Sequence, residues 1–302
     1  MNILMSGGTG LLGQQLTRSL IEDGHDVTIL TRNPDKSTSL PASARLVWWD
    51  AASTENWSDE MEAADVVVHL AGENLAEGRW TDERKRRIRE SRVQSGQALA
   101  SAIKQSQNPP AAFIQASAVG YYGPRKDGVI DESTGPGSDF LAHVCFEWEA
   151  ATASVERMGV RRAIARTGIV LSQDEGALPR MLLPFKLYVG GKVGDGKQWW
   201  PWIHVEDEIR ALRFLIEHDD ASGPFNLTAP NPVTNQEFAK TLGSVMGKPS
   251  LLPVPSAALS LAFGEMSTVL LDGQRAVPSR LMESGFEFKY PNLEDALKDL
   301  LS

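Results

Sequence analysis

The segment Ser6-Gly7-Gly8-Thr9-Gly10-Leu11-Leu12-Gly13 constrains this chain more than any other. An apolar run at residues 2–5 leads into it, and a helical pattern at residues 11–22 leads out and stops at Gly24. The segment satisfies Gly-x-Gly-x-x-Gly from Gly8 and Gly-x-x-Gly-x-x-Gly from Gly7. Glycine is needed in such a turn for three reasons: a tight reversal, backbone contact with a pyrophosphate, and close packing of helix on strand. The helix then aims free N–H groups and the positive end of its dipole at the same point. Glycine turns also serve as plain connectors, but a strand directly before and a helix directly after form the context of a dinucleotide site. Gly7, Thr9, Gly10, Leu11, Leu12 and Gly13 are the expected pyrophosphate-binding residues.

The remaining pattern is that of an α/β fold. Residues 26–31 (DVTILT), 45–49 (RLVWW), 65–71 (DVVVHLA) and 111–117 (AAFIQAS) read as strands, and residues 161–166 (RRAIAR) as a sixth running toward Leu171. Long helical patterns at 81–105 and 140–158 separate the later ones. Near-continuous apolar strands alternating with helices imply a parallel sheet covered on both faces. Beyond it the chain is richer in Gly and Pro, with a Trp-bearing loop or hairpin at 190–201, a helix at 205–218, a strand at 224–227 and a helix at 234–246. A linker at 249–255 leads into a last helical stretch ending at Leu301. The expected architecture is a doubly wound parallel sheet of the Rossmann type with a smaller C-terminal substrate lobe. The nucleotide-binding domain would take residues 1–171 plus about 204–228, and the lobe about 172–203 plus 229–302.

Composition narrows the function classes. Apolar residues make up 42% and charged residues 23% of 302, a globular balance. The net charge of −9 argues against nucleic acid as the main partner. No apolar run reaches the ~20 residues that span a bilayer, and Met1-Asn2-Ile3-Leu4-Met5 enters the glycine turn without a basic-then-apolar leader. With one cysteine, Cys145, and no disulfide framework, a cytoplasmic protein is expected. Five histidines and that cysteine show no metal-ligand spacing.

The choice of dinucleotide follows from the end of the second strand. A carboxylate there would bind a ribose 2′-hydroxyl and repel a 2′-phosphate. The chain instead has Thr31-Arg32-Asn33, with no carboxylate before Asp35. Arg32 can form a charge-assisted pair with a 2′-phosphate, or simply be a solvated strand-end arginine. NADP(H) is the expected cofactor, with Thr31 and Arg32 at its adenosine end.

At this point the chain resembles the extended short-chain dehydrogenases/reductases over nearly its whole length. Arg166-Thr167-Gly168-Ile169-Val170-Leu171 is similar to their Arg-Pro-Gly-x-Val segment, Trp202-Ile203-His204-Val205-Glu206-Asp207 to their Phe-Ile-His-Val-x-Asp segment, and Phe225-Asn226-Leu227 to their Tyr-Asn-Ile strand. More narrowly it resembles the YfcH-like epimerase family proteins. The matching pieces include His69-Leu70-Ala71-Gly72-Glu73-Asn74, Arg79-Trp80, Ser91-Arg92, Trp148-Glu149-Ala150-Ala151 and Gly273-Gln274-Arg275. The resemblance implies that Leu70, Ala71, Gly72 and Glu73 line the cofactor, that Asp50 reaches the adenine, and that Gly168 lies at the cleft. It also places the helix carrying Arg84-Lys85-Arg86-Arg87-Ile88-Arg89 and Arg92 against the cofactor. Most of those charges read as a solvated face, with Arg87 and Arg92 the ones that spacing allows inward.

The same resemblance exposes a departure. Short-chain reductases use a serine after the fifth strand and Tyr-x-x-x-Lys on the next helix, a spacing that puts both side chains on one face. The lysine lowers the phenol pKa, so the tyrosine can exchange a proton. Here Ser117 falls in the serine slot, Leu141 in the tyrosine slot and Cys145 in the lysine slot. Tyr122-Gly-Pro-Arg-Lys126 and Tyr188-Val-Gly-Gly-Lys192 carry the string in loops, where the same-face condition fails. Tyr121 and Tyr122, just past Ser117, are the alternative proton donors, with aromatic packing as their competing role. His204 reads as a backbone-fixing residue, and His143 as a surface one or, on an altered register, as the occupant of the lysine slot. Trp199, Trp200 and Trp202 read either as substrate-stacking rings or as packing. The resulting expectation is an NADP(H)-dependent oxidoreductase or epimerase acting on a small carbonyl, hydroxyl or sugar-nucleotide substrate. A catalytically silent NADP(H)-binding sensor or partner-binding protein is the alternative.

Overall fold

The computed structural model describes residues 1–36, 39–125 and 127–302. Side chains alternate across a strand, so Ile3 and Met5 of β1 (Asn2–Ser6) enter one core while Leu4 enters another. The same two-sided burial holds for β4 (Val66–His69), all of whose residues are buried, and it explains why these strands read as unbroken apolar runs. They belong to a seven-stranded parallel sheet with β2 (Asp26–Thr31), β3 (Arg45–Trp48), β5 (Ala112–Ala118), β6 (Arg161–Thr167) and β7 (Gly223–Leu227). Its order is β3-β2-β1-β4-β5-β6-β7. Helices α1 (Leu11–Glu22) and α4 (Val205–Glu217) cover one face through Leu16, Leu20, Leu212 and Leu215. Helix α2 (Asp82–Gln105) covers the other through Ala98, Leu99 and Ile103. The strand order reverses between β1 and β4, and the carboxyl ends at that switch point open a crevice, the usual ligand site of such sheets.

Several boundaries differ from the sequence reading. The strand read over 65–71 ends at His69, which leaves Leu70, Ala71 and Gly72 as loop residues at the crevice. The helical run 140–158 breaks after α3 (Phe140–Ala151), where the buried Thr152 hydroxyl turns to Gln115 and to Arg162 Nη1 at 3.0 Å. The sixth strand breaks at Gly168. There a Cβ would lie 2.3 Å from the Pro201 carbonyl oxygen, and Ile169–Leu171 leaves the sheet to pair with Trp202–His204. A separate apolar cluster gathers Leu178, Leu182, Trp200, Trp202, Phe238 and Leu297 beyond the sheet. The last helical stretch is in fact several short helices, among them Ser256–Phe263 and Leu293–Leu301. Among the described residues, no helix is long and apolar enough to cross a membrane.

Candidate active site

The glycine turn packs as its sequence demands. Gly7 has φ +77°, and a Cβ there would stand 2.6 Å from the Leu70 carbonyl carbon, so the turn lies directly on the end of β4. A Cβ on Gly13 would meet the Gly7 oxygen at 2.3 Å and Gly8 Cα at 2.5 Å, which is how α1 seats on the turn. Gly10 differs: its φ of −85° suits any residue, and an added Cβ would meet only the Gly7 oxygen, at 3.5 Å. It caps α1 with no side-chain hydrogen bond, and the first turn of the helix holds no acidic residue. Thr9 and Gly10 are exposed beside it, and Gln14 Nε2 holds the loop by donating to the Thr9 carbonyl at 2.8 Å. The fold accounts for glycine at 7 and 13, whereas at position 10 it leaves open space in front of unpaired helix-terminal N–H groups. An anionic ligand fits that cradle.

Around the turn, the sequence-named residues divide. Thr31 ends β2 and shapes the next turn by accepting from the Asn33 N–H at 3.3 Å, while Arg32 is exposed beyond it. Asp50 is exposed, and its Oδ1 accepts from the Ala52 and Ser53 N–H groups at 2.9 and 2.7 Å. Those bonds, that from Ser53 first, hold its carboxyl below the usual range. Arg92 lies against the Gly72 backbone, where a Cβ would be 3.0 Å from its guanidinium carbon. It donates to the Glu73 and Ile88 carbonyls and covers the Trp148 ring at 5.1 Å. Arg87 is half exposed, 3.6 Å from Glu73, which Arg84 engages directly. The arginine-rich helix is thus largely paired with carboxylates: Arg86 with Glu90, Arg89 with Glu147 and Lys85 with Glu265. Arg79 reaches the Leu261 and Ala262 carbonyls and ties the helix Ser256–Phe263 to the start of α2.

The serine slot lies at the carboxyl end of β5. The β5–β6 register sets Ser117 beside Arg166. Ser117 Oγ donates to Glu149 Oε1 at 2.6 Å, and Arg166 grips the same carboxylate through Nε and Nη2 at 2.9 and 2.8 Å. Burial disfavours the Arg166 charge, but Glu149 outweighs it and raises its pKa. Cys145, one turn before Glu149 on α3, is buried beside Ser117, and burial pushes its thiol up to about 12. The arginine also covers the Tyr121 ring at 3.6 Å and donates to Tyr122 Oη at 3.1 Å. Tyr122 is fully buried, donates to Asn226 Oδ1 at 2.6 Å, and has its pKa raised to about 12, chiefly by burial. Its hydroxyl therefore serves the core rather than the cleft. Tyr121 is half-buried and packs edge-on against Tyr122. A second polar line joins β1 to β4: His69 Nδ1 meets Ser6 Oγ at 2.7 Å and Nε2 accepts from Trp148 Nε1 at 3.2 Å. Burial drops the His69 pKa to about 3.

Other candidates lie apart. His204 caps α4 by accepting from the Glu206 N–H at 3.0 Å and stacks on Tyr290. His143 is on the surface. Trp200 and Trp202 are buried in the apolar cluster, and Trp199 lies under the Arg275 guanidinium at 4.4 Å. Gly168 is glycine because of Pro201, as above. Lys126 of the first Tyr-x-x-x-Lys string lies outside the described residues, and the second string begins at Tyr188, whose φ of 61° is not helical. The sequence reading assigns no site role to Glu149 and Arg166, which the structure brings together with Ser117. Their signal was present as an arginine inside an apolar strand and a glutamate inside the apolar FLAHVCFEWEAA helix.

Residues 3–228 match the model of the NAD dependent epimerase/dehydratase family. The chain belongs to that family. Residues 254–300 match a domain of unknown function, DUF1731. Among curated relatives, the epimerase family protein YfhF of Bacillus subtilis is 42% identical, with 100% of this chain and 98% of that one aligned. Among solved structures, the human epimerase family protein SDR39U1 (isoform 2) with NADPH is 34% identical, covers 99% of both chains and superposes with a TM-score of 0.87. A nucleoside-diphosphate sugar epimerase from Corynebacterium glutamicum is 35% identical with a TM-score of 0.79, over 99% of this chain and 58% of that one.

Proposed function

We propose that this protein binds NADP(H) in the crevice above β1 and β4 and acts as an oxidoreductase or epimerase on a small hydroxyl- or carbonyl-bearing substrate, with sugar nucleotides among the candidates. The observation that carries the reading is the turn itself, in which Gly10 leaves space that packing does not fill while Gly7 and Gly13 are locked by it. The N–H groups of Leu11, Leu12 and Gly13 would hold the pyrophosphate, Arg32 the 2′-phosphate, and Leu70 to Glu73 with Arg92 the inner wall. Support for the 2′-phosphate comes from Arg32 standing where a carboxylate would select the unphosphorylated cofactor, and from the NADPH in the human relative. When bound, the nicotinamide supplies or takes the hydride. Ser117 would contact the reacting oxygen, and Tyr121 would line the cleft beside it.

A catalytically silent NADP(H) sensor is favoured by one observation, the absence of tyrosine and lysine at positions 141 and 145. The two readings separate in one assay. Purified protein is loaded with NADPH or NADP⁺ and its absorbance followed against a panel of carbonyl compounds, alcohols and sugar nucleotides. Turnover of any compound, lost in Ser117→Ala, is the expected result. Tight NADPH binding with no turnover across the panel would replace the enzyme with the sensor.

A further inference from the structure

The hydroxyl in the serine slot faces the wrong way for the usual role, and its partner is a carboxylate the sequence comparison left without a task. In short-chain reductases the serine donates its hydrogen to the substrate oxygen. Here Ser117 has one hydrogen, and an ionised carboxylate 2.6 Å away can only accept it. Arg166 holds the same carboxylate through two further bonds, both made in a buried setting, and is itself held by Tyr122 Oη and by the Tyr121 ring. Neither the serine nor the glutamate is free to turn. The lone pairs of this buried hydroxyl are what remain for a ligand, so a ligand that reaches Ser117 must do so as a hydrogen-bond donor.

We propose that Glu149, clamped by Arg166, is the positioning residue that fixes Ser117 as a hydrogen-bond acceptor for a substrate hydroxyl and takes the substrate proton through it. The inference rests on the enzymatic reading above. In the oxidative direction the substrate O–H bond breaks as its proton passes to Ser117 Oγ, while the Ser117 proton passes to Glu149 Oε1. The substrate C–H bond breaks with its electron pair going to an oxidised nicotinamide, and a carbonyl forms. The reverse requires a protonated Glu149 at the start. This relay replaces the missing tyrosine and lysine with a serine and a glutamate, and the resting site is complementary to an alcohol rather than to a carbonyl.

Two measurements test it. The first needs neither cofactor nor substrate: unfolding of Ser117→Ala, Glu149→Ala and the double variant. The shifts in midpoint should be clearly non-additive, because each single change breaks the same bond; additive shifts overturn the proposal. The second uses the compound turned over most rapidly in the panel. Glu149→Gln should lower kcat ~100-fold, within the usual range for loss of a proton-transfer group, with the NADPH Kd changed less than about threefold. Glu149→Asp should restore part of the rate, and the loss in the glutamine variant should fall on kcat with KM changed less than about threefold. An active wild type whose Glu149→Gln variant keeps its kcat overturns the relay alone, as does loss of activity confined to Tyr121→Phe. A wild type that binds NADPH and turns over nothing overturns the enzymatic reading and the relay with it.

Discussion

Replacing Gly10 and Gly13 separately by alanine divides what the glycine turn does for the fold from what it does for the cofactor. At Gly13 the new methyl would lie 2.3 Å from the Gly7 oxygen and 2.5 Å from Gly8 Cα. Both neighbours are backbone, so the overlap of roughly 1 Å against normal contact distance can be relieved only by moving α1 or the turn. Overpacking of this kind typically costs about 1–3 kcal/mol, offset by about 0.5–1 kcal/mol from putting alanine in a helix. Gly13→Ala should therefore lose about 1–2 kcal/mol of stability and also weaken NADPH. At Gly10 the methyl meets only one atom, at 3.5 Å, and the backbone is not in the left-handed region. Stability should fall by about 0.5–1 kcal/mol, the usual difference between glycine and alanine at a helix N-cap. In the proposed site the methyl would nevertheless crowd the pyrophosphate held by the N–H groups of Leu11, Leu12 and Gly13. Charge-assisted hydrogen bonds are worth about 1.5–3 kcal/mol each, so losing one weakens NADPH about 10- to 150-fold. Urea unfolding and NADPH fluorescence titration read the two effects. A Gly10→Ala variant that binds NADPH within twofold of wild type would refute the placement of the pyrophosphate.

The other outcomes are narrower. Arg32→Ala should weaken NADPH about 10- to 100-fold, the value of a lost charge-assisted pair, and leave NADH unchanged; equal effects in fluorescence titrations of the two cofactors would remove Arg32 from the 2′-phosphate site. His69 is buried neutral with its pKa lowered from 6.5 to about 3, so the unfolded chain binds the extra proton first as pH falls. Its contribution is complete above pH 6.5 and is lost between there and about pH 3, at ~1.4 kcal/mol per pH unit. Denaturant midpoints for wild type and His69→Gln should converge over that window, and parallel curves would contradict the burial argument. Cys145, with its thiol pushed up to about 12, should resist iodoacetamide in the native state at pH 8 and react in urea; fast native labelling, followed by mass spectrometry, would show it accessible.

The sequence by itself determined the parts of this protein that are local. Glycine spacing, the apolar runs and the helix at Leu11–Glu22 depend on steric limits and side-chain period, which neighbouring residues carry together. Even the missing Tyr-x-x-x-Lys pair was legible, because that motif is one helical turn long. Tertiary structure decided what depends on partners far apart in the chain. Tyr121 and Tyr122 are adjacent in sequence, yet packing leaves the first half-buried and buries the second against Asn226, 104 positions away. Arg84 and Arg92 look alike in a basic run, but one is buried on Glu73 and the other lies flat on Gly72 and Trp148. The bond from Ser117 to Glu149 spans 32 positions and exists because the β5–β6 register lays Ser117 beside Arg166 while α3 brings the carboxylate over both. Where a charge is paired in a low-dielectric interior, the partner fixes its role, and that partner is chosen by the fold rather than by the local sequence.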